Sequence, residues 1–342
     1  MSETAAARQD PEPLSDIFNR FVTESAARFP ALAGRLLLMD VKDYTVYGIH
    51  GLDRAKIRVA PEAMPQHLGT HAVTSFLCRH PEESSRACAD VRSGVSIIFF
   101  NDAIDPEVVK IAAEKAKQRM LHVLDHELGH LAIEDGMYDN PHTPQGLLGE
   151  NIADAYALIR HYQRFGTGTE CVDRYVSPFA RADGLIFGGD ATHFTAFTLQ
   201  AISAARNALN IHELDEESTA RIARNFALRH TPQPETIAKL AEKFRPVKKA
   251  WERDRDAGLR MLIEVTLDPS NDADIFRTGE TWLRAFLHGV VFKDGKTPAL
   301  DPWEKKTLAR NLDERAFHFS RATKAARKPV PHAVWRSLGL NG

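Results

Sequence analysis

The chain has 342 residues, of which 43% are hydrophobic and 26% are charged, a composition typical of a soluble globular protein with one or two domains. Its formal net charge at pH 7 is −2, so no overall field favours nucleic acid or a membrane surface. Three cysteines are too few for a disulfide scaffold, and neither a secretory signal nor a transmembrane span is visible. These features predict a cytoplasmic protein.

The N-terminal half is predicted to mix helix and strand. Residues 1–13 are expected to form a disordered tail, and the apolar spacing of residues 14–29 predicts a helix that ends at Pro30. Short runs rich in β-branched and aromatic residues then predict strands, whereas residues 60–93 show no clear period. The predicted strands are Arg35–Val41, Tyr44–Ile49, Lys56–Val59 and Val95–Asn101.

Helices are predicted for most of the remaining chain. A long helix is expected to begin at Asp105-Pro106 and to stop at Gly136, and a second is expected from Gln145 to Phe165, closed by Gly166. The later predicted helices are 191–209, 215–229, 233–263, 274–290, 302–326 and 332–338. The fold class expected is therefore α+β, with a small sheet and a helix in the first half and a mostly α-helical second half. The predicted domains are 14–166 and 167–342.

The sequence His126-Glu127-Leu128-Gly129-His130 is the motif that carries chemistry. Residues four apart on a helix lie on the same face, so the two imidazoles can converge on one ion. Neutral imidazole nitrogen is a good ligand for zinc. Glu127 lies one step around the helix, where it can reach a water on the metal without occupying a coordination position.

A third ligand is expected in the next helix. Glu150 follows His130 by twenty residues, and Asp154 lies one turn further along the same face. A catalytic zinc ion takes three protein ligands and keeps one open position, and His126, His130 and Glu150 satisfy that count. Asp154 is placed to accept a hydrogen bond from a ligand imidazole, with His126 as the expected partner.

The HELGH motif followed by GENIADAYA resembles the gluzincin group of metallopeptidases, of which thermolysin is a familiar member. The second block is also similar to the corresponding stretch of ImmA/IrrE-type cytoplasmic metallopeptidases. This resemblance covers about residues 120–158. It implies a zincin-like N-terminal domain, zinc bound by His126, His130 and Glu150, and Glu127 as the catalytic base. It also implies that Val95–Asn101 is the edge strand that pairs with an extended substrate.

The downstream histidine block of thermolysin-like enzymes has no clear counterpart here, and His193 is the best candidate for its oxyanion-stabilising role. It is predicted to lie in the first turn of a helix after two glycines, and the alternative is that Asp190 caps this helix while His193 is a partly buried core residue. Tyr138, His142 and Tyr175 are weaker candidates for the same role.

Several alternatives stay open from the residues alone. Asp154 is a second candidate for the third metal ligand, in which case Glu150 would contact a ligand rather than the metal. His122 lies one turn before His126, and helix geometry makes it a poor third ligand. His161 is expected to be structural. The leading hypothesis is a zinc peptidase acting on a peptide or protein, with no nucleic-acid or membrane partner. The alternatives are a zincin-fold protein without activity that binds or regulates, and a helical interaction protein that uses its basic C-terminal segment.

Overall fold

The structure of the chain is a computed structural model. It describes residues 20–21, 23–25, 27–28, 36–40, 58–59, 73–78, 88–89, 95–100, 118, 121–122, 124–126, 128–130, 145–166, 178–289 and 298–326. The chain divides into two compact units, Met1–Asp135 and Gly136–Gly342, which are described separately. The division precedes the helix at Gln145–Phe165, whereas the sequence placed that helix in the first domain.

The first unit contains two small sheets. Its strands are β1 (Leu36–Asp40), β2 (Arg58–Val59), β3 (Val73–Cys78), β4 (Cys88–Ala89) and β5 (Val95–Phe100). Strand β5 lies between β1, to which it is parallel, and β3, to which it is antiparallel. Strands β2 and β4 form an antiparallel pair.

The predicted strands agree only in part with this arrangement. Strands β1, β2 and β5 fall within predicted ranges, Tyr44–Ile49 lies outside the described residues, and β3 and β4 lie in the region without a clear period. The expectation that Val95–Asn101 forms an edge strand is wrong, because β5 has a hydrogen-bonded neighbour on each side. An extended substrate therefore cannot add to β5 within this sheet.

Helical residues also belong to the first unit. Every described residue between 20 and 28 and between 118 and 130 is helical, in agreement with the predicted helices 14–29 and 105–136 as far as these are described. We call the helical residues between 118 and 130 the motif helix. Leu124 and Leu128 are fully buried on it.

The regular secondary structure described in the second unit is all helical. Its α-helices are α1 (Gln145–Phe165), α2 (Pro178–Asp183), α3 (Ala196–Ala205), α4 (Glu216–His230), α5 (Pro234–Arg253), α6 (Arg255–Leu267), α7 (Ala273–Leu287) and α8 (Pro302–Ala326). A π-helical turn at Gly184–Gly188 follows α2, and a 3-10 turn lies at Ile211–Glu213. Across the described residues of both units helix far outweighs strand, so the predicted α+β class is wrong and the protein is mostly helical.

Local capping explains where these helices begin and end. Helix α1 ends as predicted, because Gly166 adopts a left-handed conformation with φ of 77° and donates its N–H to Tyr162 O at 2.9 Å. The single helix predicted over 233–263 is instead two. Asp254 has extended backbone angles, and its carboxylate accepts from Asp256 N at 2.9 Å, which begins α6. The predicted helix 332–338 lies outside the described residues.

Helix α1 is buried over the middle of its length. Residues 151–159 are all buried, which is the pattern of a helix enclosed by its neighbours rather than amphipathic on a surface. Aromatic side chains form a second part of the core, where Trp282 is fully buried and donates to Asp183 Oδ1 at 2.7 Å. Among the described residues no helix is long and apolar enough to span a membrane.

Candidate metal centre

His126 and His130 lie on one face of the motif helix, both partly buried. Their Nε2 atoms are 3.1 Å apart, and the rings meet edge to face with centroids separated by 4.7 Å. Two ligands of one tetrahedral zinc ion, each about 2.0–2.1 Å from the metal, have nitrogens about 3.3 Å apart. The imidazole pair therefore presents two nitrogens at a spacing that fits a shared zinc ion.

Other polar residues of the motif helix are buried. His122 is 6% exposed and Asp125 is fully buried. Sequence reasoning did not single out Asp125, although a carboxylate in the interior of an apolar helix requires partners. Glu127 lies outside the described residues, as do Tyr138, His142 and Tyr175, so their predicted roles rest on the sequence.

Glu150 and Asp154 lie one turn apart on α1, but their environments differ. The side chain of Glu150 is 16% exposed, whereas that of Asp154 is 2% exposed. Arg181 of α2 donates two hydrogen bonds of 2.7 Å to Asp154, from Nε to Oδ2 and from Nη2 to Oδ1. Thr195 Oγ1 also donates to Asp154 Oδ2. Asp154 is thus held on both oxygens by residues that the sequence did not indicate.

Arg181 is electrostatically coupled to more than one carboxylate. Burial by itself lowers the pKa of its guanidinium, but the charge and hydrogen bonds of Asp154, followed by the charges of Glu150 and Asp190, raise the pKa above its usual value. Three carboxylates around one guanidinium leave a formal charge of minus two when His193 is neutral. This part of the second unit is therefore an environment that favours a cation.

His193 lies between two carboxylates. Its Nδ1 is 2.8 Å from Asp190 Oδ2, and its Nε2 is 3.5 Å from Glu150 Oε1. The hydrogen bond to Asp190 raises the pKa of His193 above its usual value, in spite of partial burial, and the charge of Glu150 adds to this effect. In return the same hydrogen bond holds the pKa of Asp190 well below its usual range. Because Nδ1 faces Asp190, Nε2 is the nitrogen directed towards Glu150.

The sequence predicted that His193 lies in the first turn of a helix, and this prediction is wrong. Helix α3 begins at Ala196, and His193 occupies the turn before it. Asp190 accepts the backbone N–H of His193 at 3.2 Å, so it caps this turn rather than the helix. The turn is placed by Gly189, whose left-handed φ of 72° ends the π-helical turn.

Buried polar contacts tie α1 to the start of α3. Asn151, which is fully buried, donates from Nδ2 to Leu147 O at 2.7 Å, and its Oδ1 accepts from Thr198 Oγ1. Sequence reasoning missed Asn151, Arg181 and Thr195. The available signal was the presence of two polar residues, Asn151 and Asp154, in an otherwise apolar helix, but that pattern does not identify the partners.

His161 is almost completely buried, with 1% of its surface exposed, which fits the structural role expected from the sequence. Burial, together with the charge of Arg164, lowers its pKa to about 4, so the ring is neutral at pH 7. Its ring centroid lies 5.0 Å from that of Phe165 near the end of α1, and the two rings are tilted by 51°.

Within the second unit the structure thus brings together Glu150, Asp154 and His193, which the sequence had indicated, with Arg181, which it had not. Within the first unit it brings together His126 and His130. Comparison with known protein families, with curated protein sequences and with solved structures found no match.

Proposed function

We propose that this chain is a zinc-dependent hydrolase that cleaves peptide bonds, with His126, His130 and Glu150 as metal ligands. The observation that carries the proposal is the 3.1 Å separation of the two imidazole Nε2 atoms, which suits two ligands of one ion. His126, His130 and Glu150 each offer one side-chain atom that can bind a metal ion. Two imidazoles and one carboxylate are a donor set typical of catalytic zinc.

Glu150 is preferred to Asp154 as the third ligand. Both oxygens of Asp154 already accept hydrogen bonds from Arg181 and Thr195, and its side chain is almost completely buried. Glu150 is more exposed and faces the turn that carries His193. The acidic surroundings of Glu150 also favour an added divalent cation.

The chemistry proposed is the addition of water to the scissile carbonyl carbon followed by cleavage of the C–N bond. A zinc ion, when bound, supplies Lewis acidity that lowers the pKa of water and polarises a carbonyl group. Glu127 accepts the proton of the attacking water and passes it to the leaving amine nitrogen. His193, held by Asp190 through Nδ1, donates from Nε2 to the oxyanion that forms as the water oxygen bonds to carbon.

The test is proteolysis of fluorescein-labelled casein and of a quenched fluorescent peptide library by the purified, zinc-loaded chain. Wild-type protein is expected to release fluorescence, and Glu127→Gln is expected to lose this activity while it retains its bound zinc. A variant that kept full activity would contradict the role of Glu127. Zinc binding without cleavage of either substrate would instead favour the binding or regulatory alternative.

A further inference from the structure

We propose that Arg181 is a positioning residue of the metal site: it acts through Asp154 and Thr195 to fix the His193 turn and the carboxylate of Glu150 on helix α1. This inference rests on the proposed function. Arg181 is not itself assigned as a metal ligand. Its part is to hold the residues that do the binding and the oxyanion stabilisation in one arrangement.

Arg181 and Asp154 form a two-point ion pair in which Asp154 is almost completely buried and Arg181 is partly exposed. Two hydrogen bonds of 2.7 Å join the planar guanidinium to both carboxylate oxygens, which fixes the orientation of each group as well as their distance. Asp154 projects from α1 one turn after Glu150. Because α1 is buried on all sides over residues 151–159, a rigid partner for Asp154 fixes the rotation of the helix that also carries Glu150.

Two polar contacts join α1 to the segment at the start of α3. Thr195 donates to Asp154. Thr198, three residues after Thr195, donates to Asn151, which lies three residues before Asp154. Both threonines are fully buried. The two hydrogen bonds are neighbours, but only that of Thr195 is accepted by the carboxylate that Arg181 also binds.

The contact between Thr195 and Asp154 lies close to His193 along the chain. His193 precedes Thr195 by two residues, and its Nε2 lies 3.5 Å from Glu150 Oε1. At the other end of the same turn, Asp190 donates its N–H to Gly184 O at 2.9 Å, which ties the turn to the helical segment that carries Arg181. The turn with Asp190 and His193 is thus anchored on both sides, by Thr195 on Asp154 and by the π-helical turn after α2.

Measurement of cobalt binding tests this inference and requires no knowledge of the substrate. The affinity of the chain for Co²⁺ is measured by competition with a chromophoric chelator, and the geometry of the site is read from the visible d–d absorption of the bound ion. Three variants are compared with wild type. Arg181→Lys keeps the charge but loses the two-point fork. Thr195→Val removes the hydroxyl that donates to Asp154, and Thr198→Val is its matched control.

We expect Arg181→Lys to weaken Co²⁺ binding by on the order of 10- to 100-fold, which is the usual effect of losing a group that orients a metal ligand. The d–d band should also shift, because the coordination geometry changes. Thr195→Val should weaken binding several-fold. Thr198→Val should bind cobalt like wild type, although both threonine variants lose a buried hydroxyl and should lose similar thermal stability. A purely structural role would instead affect the two threonine variants alike.

Equal cobalt affinity and equal spectra for Arg181→Lys, Thr195→Val and wild type would overturn the inference while leaving the metal site intact. If Arg181→Lys does not fold, Thr195→Val provides the test, since it retains the ion pair between Arg181 and Asp154. Failure of the wild-type chain to bind cobalt at all would overturn the proposed function, and this inference with it.

Discussion

The Nε2 atoms of His126 and His130 lie 3.1 Å apart across one turn of a helix. Two neutral rings at this distance share a hydrogen bond only if one of the nitrogens carries the proton, whereas a metal ion binds both through their lone pairs. The geometry therefore allows either state, and metal content distinguishes them.

Replacement of His126 by alanine tests the site directly. We expect about one zinc ion per wild-type chain and loss of the metal from His126→Ala, because a site with two remaining protein ligands binds zinc far more weakly. The measurement is metal analysis by mass spectrometry after exhaustive dialysis. His212→Ala is the control, since His212 is exposed on the 3-10 turn of the second unit. Unchanged zinc in His126→Ala would exclude this residue as a ligand.

His161 makes the stability of the protein sensitive to acid. Its pKa falls from 6.5 in the unfolded chain to about 4 in the fold, mainly because it is buried. The unfolded state therefore takes up a proton first as the pH falls, and stability is lost between pH 6.5 and about 4. Between pH 7 and pH 5 the loss from this one group is about 2 kcal/mol.

The matching experiment compares urea unfolding of wild type and His161→Gln across this pH range. The variant is expected to be less stable at pH 7 but to lose less stability on acidification, because glutamine does not titrate. Parallel pH profiles for the two proteins would show that His161 is not the group responsible.

The hydrogen bond between His193 and Asp190 should be visible in the titration of the imidazole. In metal-free protein, NMR is expected to give His193 a pKa above 6.5, and Asp190→Asn should return the pKa towards 6.5. Since the folded pKa is raised, the stabilisation is complete below pH 6.5 and disappears as the pH rises through the folded value. Asp215→Asn, at a helix cap remote in sequence, is the control and should leave the titration unchanged. A His193 pKa at or below 6.5 in wild type would contradict the pairing.

Close contact between α6 and α7 depends on Gly279. A Cβ atom added at this position would meet the side chain of Thr266, with Thr266 Cβ only 2.9 Å away. Thr266 is fully buried, so its side chain has no open space to enter. Gly279→Ala is therefore expected to destabilise the protein by about 1–3 kcal/mol, as overpacked cores do.

The control for this prediction is Gly146→Ala near the start of α1. Nothing lies within 4 Å of a Cβ added there, and the position is exposed. Alanine should then leave stability unchanged or raise it by a few tenths of a kcal/mol through helix propensity. Denaturant unfolding of both variants measures the difference, and equal stability of the two would refute the close approach of α6 and α7.

Local sequence signals determined several elements of this fold correctly. The bounds of α1 follow from apolar spacing and from Gly166, and α8 occupies the predicted range 302–326. These signals succeed because helix periodicity and caps involve residues within one or two turns of each other. The sequence prediction missed the break between α5 and α6 at Asp254. Its signal is also local, because an Asp followed by good helix formers is typical of a helix start.

The sequence alone also proposed the chemical groups of the site: the two imidazoles four residues apart, and Glu150 with Asp154 one turn beyond it. Only the tertiary structure decided what these groups contact. Arg181 follows Asp154 by 27 residues along the chain, and Thr195 by 41. Such pairings depend on how buried helices satisfy polar groups in three dimensions, and no spacing in the sequence encodes them. For the same reason the central place of β5, which the sequence put at an edge, became visible only when its two neighbours were aligned beside it.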